Sequence, residues 1–217
     1  MVVNLGENPW ILIGLTFLEI LFILLPALIA SKVEQTTIKE QLKEMGFQKN
    51  KEPLLLVFIK ISTGLGIGIL FFILGGYLIF FFRNILIESF FGTGFTKQAN
   101  EGAISTQPIQ PNVIQLIVLI ITQILITGIC EEAFFRAFII KKSNKKVNLT
   151  SSIIISSFFF TLYHVPPFLV PLSTIVTYFG YYFIFGILLS LILLYFKYSI
   201  VPGSVAHSIF NILIIIL

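Results

Sequence analysis

The chain has 217 residues, of which 57% are hydrophobic and 11% charged, with a formal net charge of +4. Its mean hydropathy is +1.00. A soluble domain carries about 25% charged residues, so these values exclude a soluble globular domain, a disordered chain, a coiled coil and a collagen-like fibre. The basic excess reads as juxtamembrane lysine and not as a nucleic-acid footprint. A single cysteine, Cys130, excludes an internal disulfide and a cysteine-rich zinc site.

A membrane-crossing helix needs about 20 mostly apolar residues. Six such spans are predicted, at 10–30, 54–82, 113–140, 151–164, 172–196 and 200–217. The fourth is short, and its continuation past Pro167 is left open. The predicted fold class is all-α: a polytopic membrane protein, read as one membrane-embedded domain over 1–217. No Lys or Arg precedes Trp10, and no small-residue cleavage site follows the first apolar run, so that run reads as a retained span.

Lysines give the orientation. Lys32, Lys39, Lys43, Lys49 and Lys51 follow the first span, Lys141, Lys142, Lys145 and Lys146 the third, and Lys197 the fifth. The opposite side has Arg83 and Lys97. The positive-inside rule assigns the lysine-rich connections to the cytoplasm and both termini to the outside. The predicted location is a bacterial plasma membrane.

The connection 31–53 alternates charge at Lys39, Glu40, Lys43 and Glu44 around Leu42, Met45 and Phe47. It is expected to form a short cytoplasmic amphipathic helix at the headgroups, stopped at Gly46. The connection 83–111 is expected to be a flexible external segment. Gly64 and Gly68 form a small-residue pair suited to close helix packing.

Ionisable residues inside spans are costly and point to function by default. Lys60 lies near a span end and is expected to snorkel. Glu19 is alone in the first span, and a structural role is expected for it. The third span is different, because it carries Glu131, Glu132 and Arg136 in consecutive turns. Glu132 and Arg136 are spaced i,i+4 with the acid first, the favourable ion-pair order. In an α-helix Glu131 points about 100° away, so it is left free to act as a general base. Both histidines of the chain lie in spans. Phe160 and His164 share a face at the end of the fourth span, and His207 and Asn211 share a face in the sixth. Counting about 1.5 Å per residue from the span ends, Glu131, His164, His207 and Asn211 fall about 10–20 Å deep, in the cytoplasmic half or near the midplane. They can converge between spans three, four and six.

Glu-Glu-x-x-x-Arg, then Phe-x-x-x-His, then His-x-x-x-Asn, in this order on successive apolar helices, resembles the CPBP family. These are the CAAX-processing and bacteriocin-processing intramembrane proteases, also called Abi. The motif-bearing core is about 112–217. The resemblance implies an intramembrane endopeptidase acting on a membrane-embedded or membrane-adjacent peptide or protein. It implies Glu131 as general base, His164 as the group holding and activating water, and His207 and Asn211 as an oxyanion hole. Glu132, Arg136 and Phe160 would support the site. The partners are that substrate and the lipid bilayer, with no nucleic acid.

A metal-free site is expected, since Asn211 and the paired Arg136 suit hydrogen bonding. The alternative is a zinc ion held by Glu131, His164 and His207. The competing functions are a non-catalytic membrane protein that confers bacteriocin immunity or scaffolds by binding, and a proton pathway through Glu19 and Glu131.

Overall fold

The structure is a computed structural model and describes residues 3–4, 8–48, 52–105 and 110–217. Helices α1 (Pro9–Leu18) and α2 (Leu21–Val33) follow one path broken at Glu19 and Ile20. A short α3 (Ile38–Glu44) leads to the long α4 (Leu54–Phe91) and to α5 (Thr93–Gly102). Then come α6 (Val113–Asn144), α7 (Leu149–His164), α8 (Leu172–Tyr195) and α9 (Val201–Ile216). A two-residue parallel pair joins β1 (Val3–Asn4) to β2 (Ile104–Ser105).

Among the described residues, four helical paths are long and apolar enough to cross a membrane: Pro9–Val33, α4, α6 and α8. The other two predicted spans, α7 and α9, are apolar but only 16 residues each. At 1.5 Å per residue each reaches about 24 Å, less than a bilayer core of about 30 Å. The fourth span stops at His164, where the chain turns on the Pro166 carbonyl, which accepts from the Leu169 and Val170 N–H groups at 2.9 and 3.1 Å. Bulky side chains such as Leu54, Val113 and Leu125 are exposed along the long helices, as expected of a surface solvated by lipid.

Small residues bring the helices together. A Cβ on Gly64 would lie 2.7 Å from both the Pro202 carbonyl oxygen and Val205 Cβ, and one on Gly68 2.7 Å from the Ala206 carbonyl oxygen and Ile209 Cβ. The glycine pair is therefore the seat of α9 on α4. Gly128 is packed in the same way against Ser204 and Ser208, which fixes α6 to α9. Helix α7 offers a buried polar stripe of Ser152, Ser156, Ser157 and Thr161. The Ser156 hydroxyl donates to the Phe135 carbonyl of α6 at 2.6 Å. Such small polar contacts substitute for the hydrophobic driving force that lipid removes.

The connection after the first span forms the short helix expected of its pattern. Thr37 and Glu40 form a capping box at the start of α3. Gly46, at φ 97°, ends the helix, with Gly46 N–H on the Lys43 carbonyl and Phe47 N–H on the Leu42 carbonyl, both at 3.0 Å. The segment is tied to the end of α6: Lys142 Nζ lies 2.7 Å from Glu34 and 2.6 Å from Glu44, and Lys145 Nζ 3.2 Å from Glu44. Hydrogen bonds from Lys142 and Gln41 hold the Glu34 carboxyl below its usual range. Partial burial opposes the same shift at Glu44, but Lys142 and Lys145 outweigh it. Lys49 and Lys51 lie outside the described residues.

Two expectations are corrected. The segment 83–111 is not a flexible loop over its described part. Helix α4 continues through a π-helical stretch, Phe81–Ile87, to Phe91, and α5 packs on α8. The Thr174 hydroxyl donates to the Ala99 carbonyl at 2.7 Å, and the Tyr178 hydroxyl to Asn100. Residues 106–109 lie outside the described residues. Lys60 does not snorkel to solvent either. It is 5% exposed, and its ammonium is neutralised by Glu52 at 2.6 Å.

Candidate active site

Helix α6 carries the acidic pair in a distorted frame. It is π-helical at Gln123–Thr127, α-helical at Gly128–Glu131 and π-helical again at Glu132–Ile139. Each π-helical stretch widens the turn and frees backbone groups, and such bulges recur at functional sites. The Gln123 carbonyl takes a bond from the Ser208 hydroxyl of α9 at 2.9 Å.

Glu131, Glu132 and Arg136 are 3%, 1% and 0% exposed. Arg136 Nε lies 3.4 Å from Glu132 Oε2, the ion pair expected from the spacing. Its guanidinium carbon sits 3.9 Å from the centroid of the Phe160 ring. Phe160 thus has two contacts in the site. Its ring covers the buried cation, and its carbonyl accepts from His164 Nδ1 at 3.0 Å. A carbonyl only accepts, so Nδ1 carries the proton and Nε2 is left as an acceptor.

His207 joins the two glutamates. Nδ1 lies 3.1 Å from Glu132 Oε1 and Nε2 3.8 Å from Glu131 Oε2. Both carboxylates approach this one imidazole from the junction between the α-helical and π-helical turns of α6. Gly203, one turn before His207, leaves the space: a Cβ there would meet Glu132 Oε2 at 3.1 Å.

Glu131, Phe160, His164, His207 and Asn211 all line one cavity of about 450 Å³ between α1, α4, α6, α7, α8 and α9. Further polar groups that motif reasoning did not assign share it, among them Gln123, Tyr182, Tyr163 and Glu19. Gln123 accepts from Asn211 Nδ2 at 2.9 Å and so fixes the orientation of that carboxamide. Tyr182 packs on the His164 ring with centroids 4.6 Å apart. Tyr163 donates to Glu19 at 3.4 Å, and Glu19 itself faces the cavity. Gln123 carried a usable signal, being an amide well inside an apolar span, eight residues before Glu131. The tyrosines carried none.

Among the described residues, no three His, Cys, Asp or Glu side chains are grouped so as to hold a metal ion. The Nδ1 bonds of His164 and His207 leave each Nε2 open, but with Glu131 they are not grouped so as to hold an ion.

Fold and site together define an all-helical, polytopic membrane protein with a polar cavity enclosed by its helices. Residues 113–213 match the family model of the Rce1-like proteins, described as type II CAAX prenyl endopeptidase Rce1-like. This agrees with the resemblance drawn from the three motifs, all of which fall inside the matched segment, and it supports a membrane protease of the CAAX type. The first two spans lie outside the match. No curated protein and no solved structure matched the chain.

Proposed function

We propose that the protein is an intramembrane endopeptidase that hydrolyses a peptide bond of a membrane-associated protein, with Glu131 as the general base. The observation that carries this reading is the convergence of Glu131, His164, His207 and Asn211 on one cavity. Glu131 takes a proton from a water that His164 Nε2 helps to orient. The hydroxide attacks the scissile carbonyl, and no covalent enzyme intermediate forms. Asn211 has one amide hydrogen committed to Gln123, and the other is available to the developing oxyanion. His207 Nδ1 is committed to Glu132. Its Nε2, 3.8 Å from Glu131, can receive the proton that Glu131 removed and deliver it to the oxyanion or the leaving amine. Each oxyanion donor of this kind is typically worth about 3–4 kcal/mol in the transition state.

In this reading the whole chain acts as one membrane-embedded unit with its chemistry in 112–217. Its lysine-rich connections face the cytoplasm of a bacterial plasma membrane. The test is cleavage of prenylated and unprenylated membrane peptides by purified wild type, His164→Ala, His207→Ala and Asn211→Ala, with and without a zinc chelator. The proposal expects cleavage by wild type, lost in the histidine variants, reduced about 100-fold or more in the asparagine variant, and indifferent to chelator. Full activity in the histidine variants would overturn it, and loss of activity with chelator would replace it by the zinc reading.

A further inference from the structure

The cavity is short of positive charge. Glu131 and Glu132 lie beside a single guanidinium, that of Arg136, which is taken by Glu132. Glu19 adds a third carboxylate from a different helix. Among the described residues, no lysine or arginine lines the cavity. Glu19 Oε2 and Glu131 Oε2 are both buried without a close hydrogen-bond partner, and the Glu19 carboxyl meets only two neutral hydroxyls, that of Tyr163 at 3.4 Å and that of Thr127. The groups that face Glu19 are Tyr163 from α7 and Thr127, Cys130 and Glu131 from α6. None of them is a cation.

The backbone at Glu19 is also arranged for the site. Between α1 and α2 the chain tightens, with Glu19 N–H on the Thr16 carbonyl at 3.1 Å and Ile20 N–H on the Phe17 carbonyl at 3.3 Å. This break interrupts the apolar run 10–30 at the one charged residue that run contains. Glu19 lies outside the segment that matches the family model.

Glu19 is half-buried, and a carboxylate partly withdrawn from water with no counter-charge is costly, a cost that a bound cation offsets. We infer that Glu19 is a substrate-binding residue, and that the peptide entering the cavity carries a cationic side chain, lysine or arginine, beside the bond presented to Glu131. The aliphatic stem of such a side chain would lie along the apolar wall formed by Leu12, Leu15 and Phe71. The inference rests on the protease reading for the identity of the ligand as a peptide.

The experiment measures binding and cleavage separately, on the full chain in detergent micelles. The probes are a capped apolar pentapeptide with a central lysine and its norleucine counterpart. Wild type and Glu131→Gln are expected to bind the lysine peptide at least about tenfold more tightly than the norleucine one, the order of a charge-assisted contact. Glu19→Gln is expected to bring the ratio to within about twofold while the thermal melt stays in place, and Glu19→Asp to keep part of it. Equal binding of the two peptides by wild type, binding of neither, or an unchanged ratio in Glu19→Gln would overturn the inference. Lysine preference without any cleavage would instead count against the protease reading and leave the binding site standing.

Discussion

Replacing Gly64 or Gly68 by alanine tests how the site is held. At both positions a new Cβ would lie 2.7 Å from a backbone carbonyl of α9 and 2.7 Å from a side-chain Cβ of the same helix. Ordinary contact starts about 0.7 Å further out, and a carbonyl cannot rotate aside as a flexible side chain can. Helix α9 must therefore move away from α4, and overpacking of this kind costs about 1–3 kcal/mol. That is a change of about 5- to 160-fold in the folding equilibrium. His207 follows Ala206 directly, so the same displacement moves Nε2 relative to Glu131. Gly66 is the internal control, because nothing stands within 4 Å of its would-be Cβ. There alanine is expected to be neutral, or to stabilise by up to about 1 kcal/mol through helix propensity. The assay is denaturant titration in mixed micelles, followed by helicity, for the three single variants. Gly64→Ala and Gly68→Ala as stable as Gly66→Ala would refute the packing argument.

Other outcomes follow from the same geometry. Arg136→Met leaves Glu132 as an uncompensated buried charge and is expected to destabilise by about 3–5 kcal/mol, whereas the double variant Glu132→Gln, Arg136→Met recovers much of that loss; a double-mutant cycle in micelles checks this, and simple additivity would contradict it. Gln123→Leu frees the Asn211 carboxamide and is expected to lower kcat with little change in KM; an unchanged kcat would show that Asn211 needs no support. Glu34 and Glu44 have their carboxyls held below the usual range, so their stabilisation is present above the ordinary carboxylate range near pH 4.5. It is lost as pH falls through their depressed values. These ion pairs are partly exposed and are worth about 0.2–1 kcal/mol each. Glu34→Gln with Glu44→Gln should flatten the acid limb of the stability profile, and an unaltered limb would speak against the contact.

The spans were legible because lipid imposes a length and a composition that few other structures share. All six helices run within a few residues of their expected ends, except the second, which extends well beyond residue 82, but among the described residues only four are long enough to cross, and α7 and α9 fall short. The Gly64 and Gly68 seat and the Glu132–Arg136 pair were legible for a similar reason, since helical spacing alone specifies them. What the sequence hid is tertiary. Helix α5 is polar and short, and it is held by Thr174, Tyr178 and the packing of Gly102 on Pro171, contacts about 70 residues away in the chain. That both Glu131 and Glu132 meet His207 appears only once α9 is packed on α6. Lys60 finds Glu52 across the start of its own helix, where spacing suggested only a free end. Glu19 stood out in the sequence as a lone charge, but its place in the same cavity as Glu131 is visible only after the helices are packed.

The central claim is that Glu131 removes the proton from the attacking water. The most direct measurement is kcat/KM for one membrane peptide, wild type against Glu131→Gln, with thermal melts of both proteins. Glutamine preserves the shape and cannot accept the proton, so the account predicts a fall of about 100- to 10,000-fold with the melt unchanged. A Glu131→Gln enzyme within about threefold of wild type would contradict it.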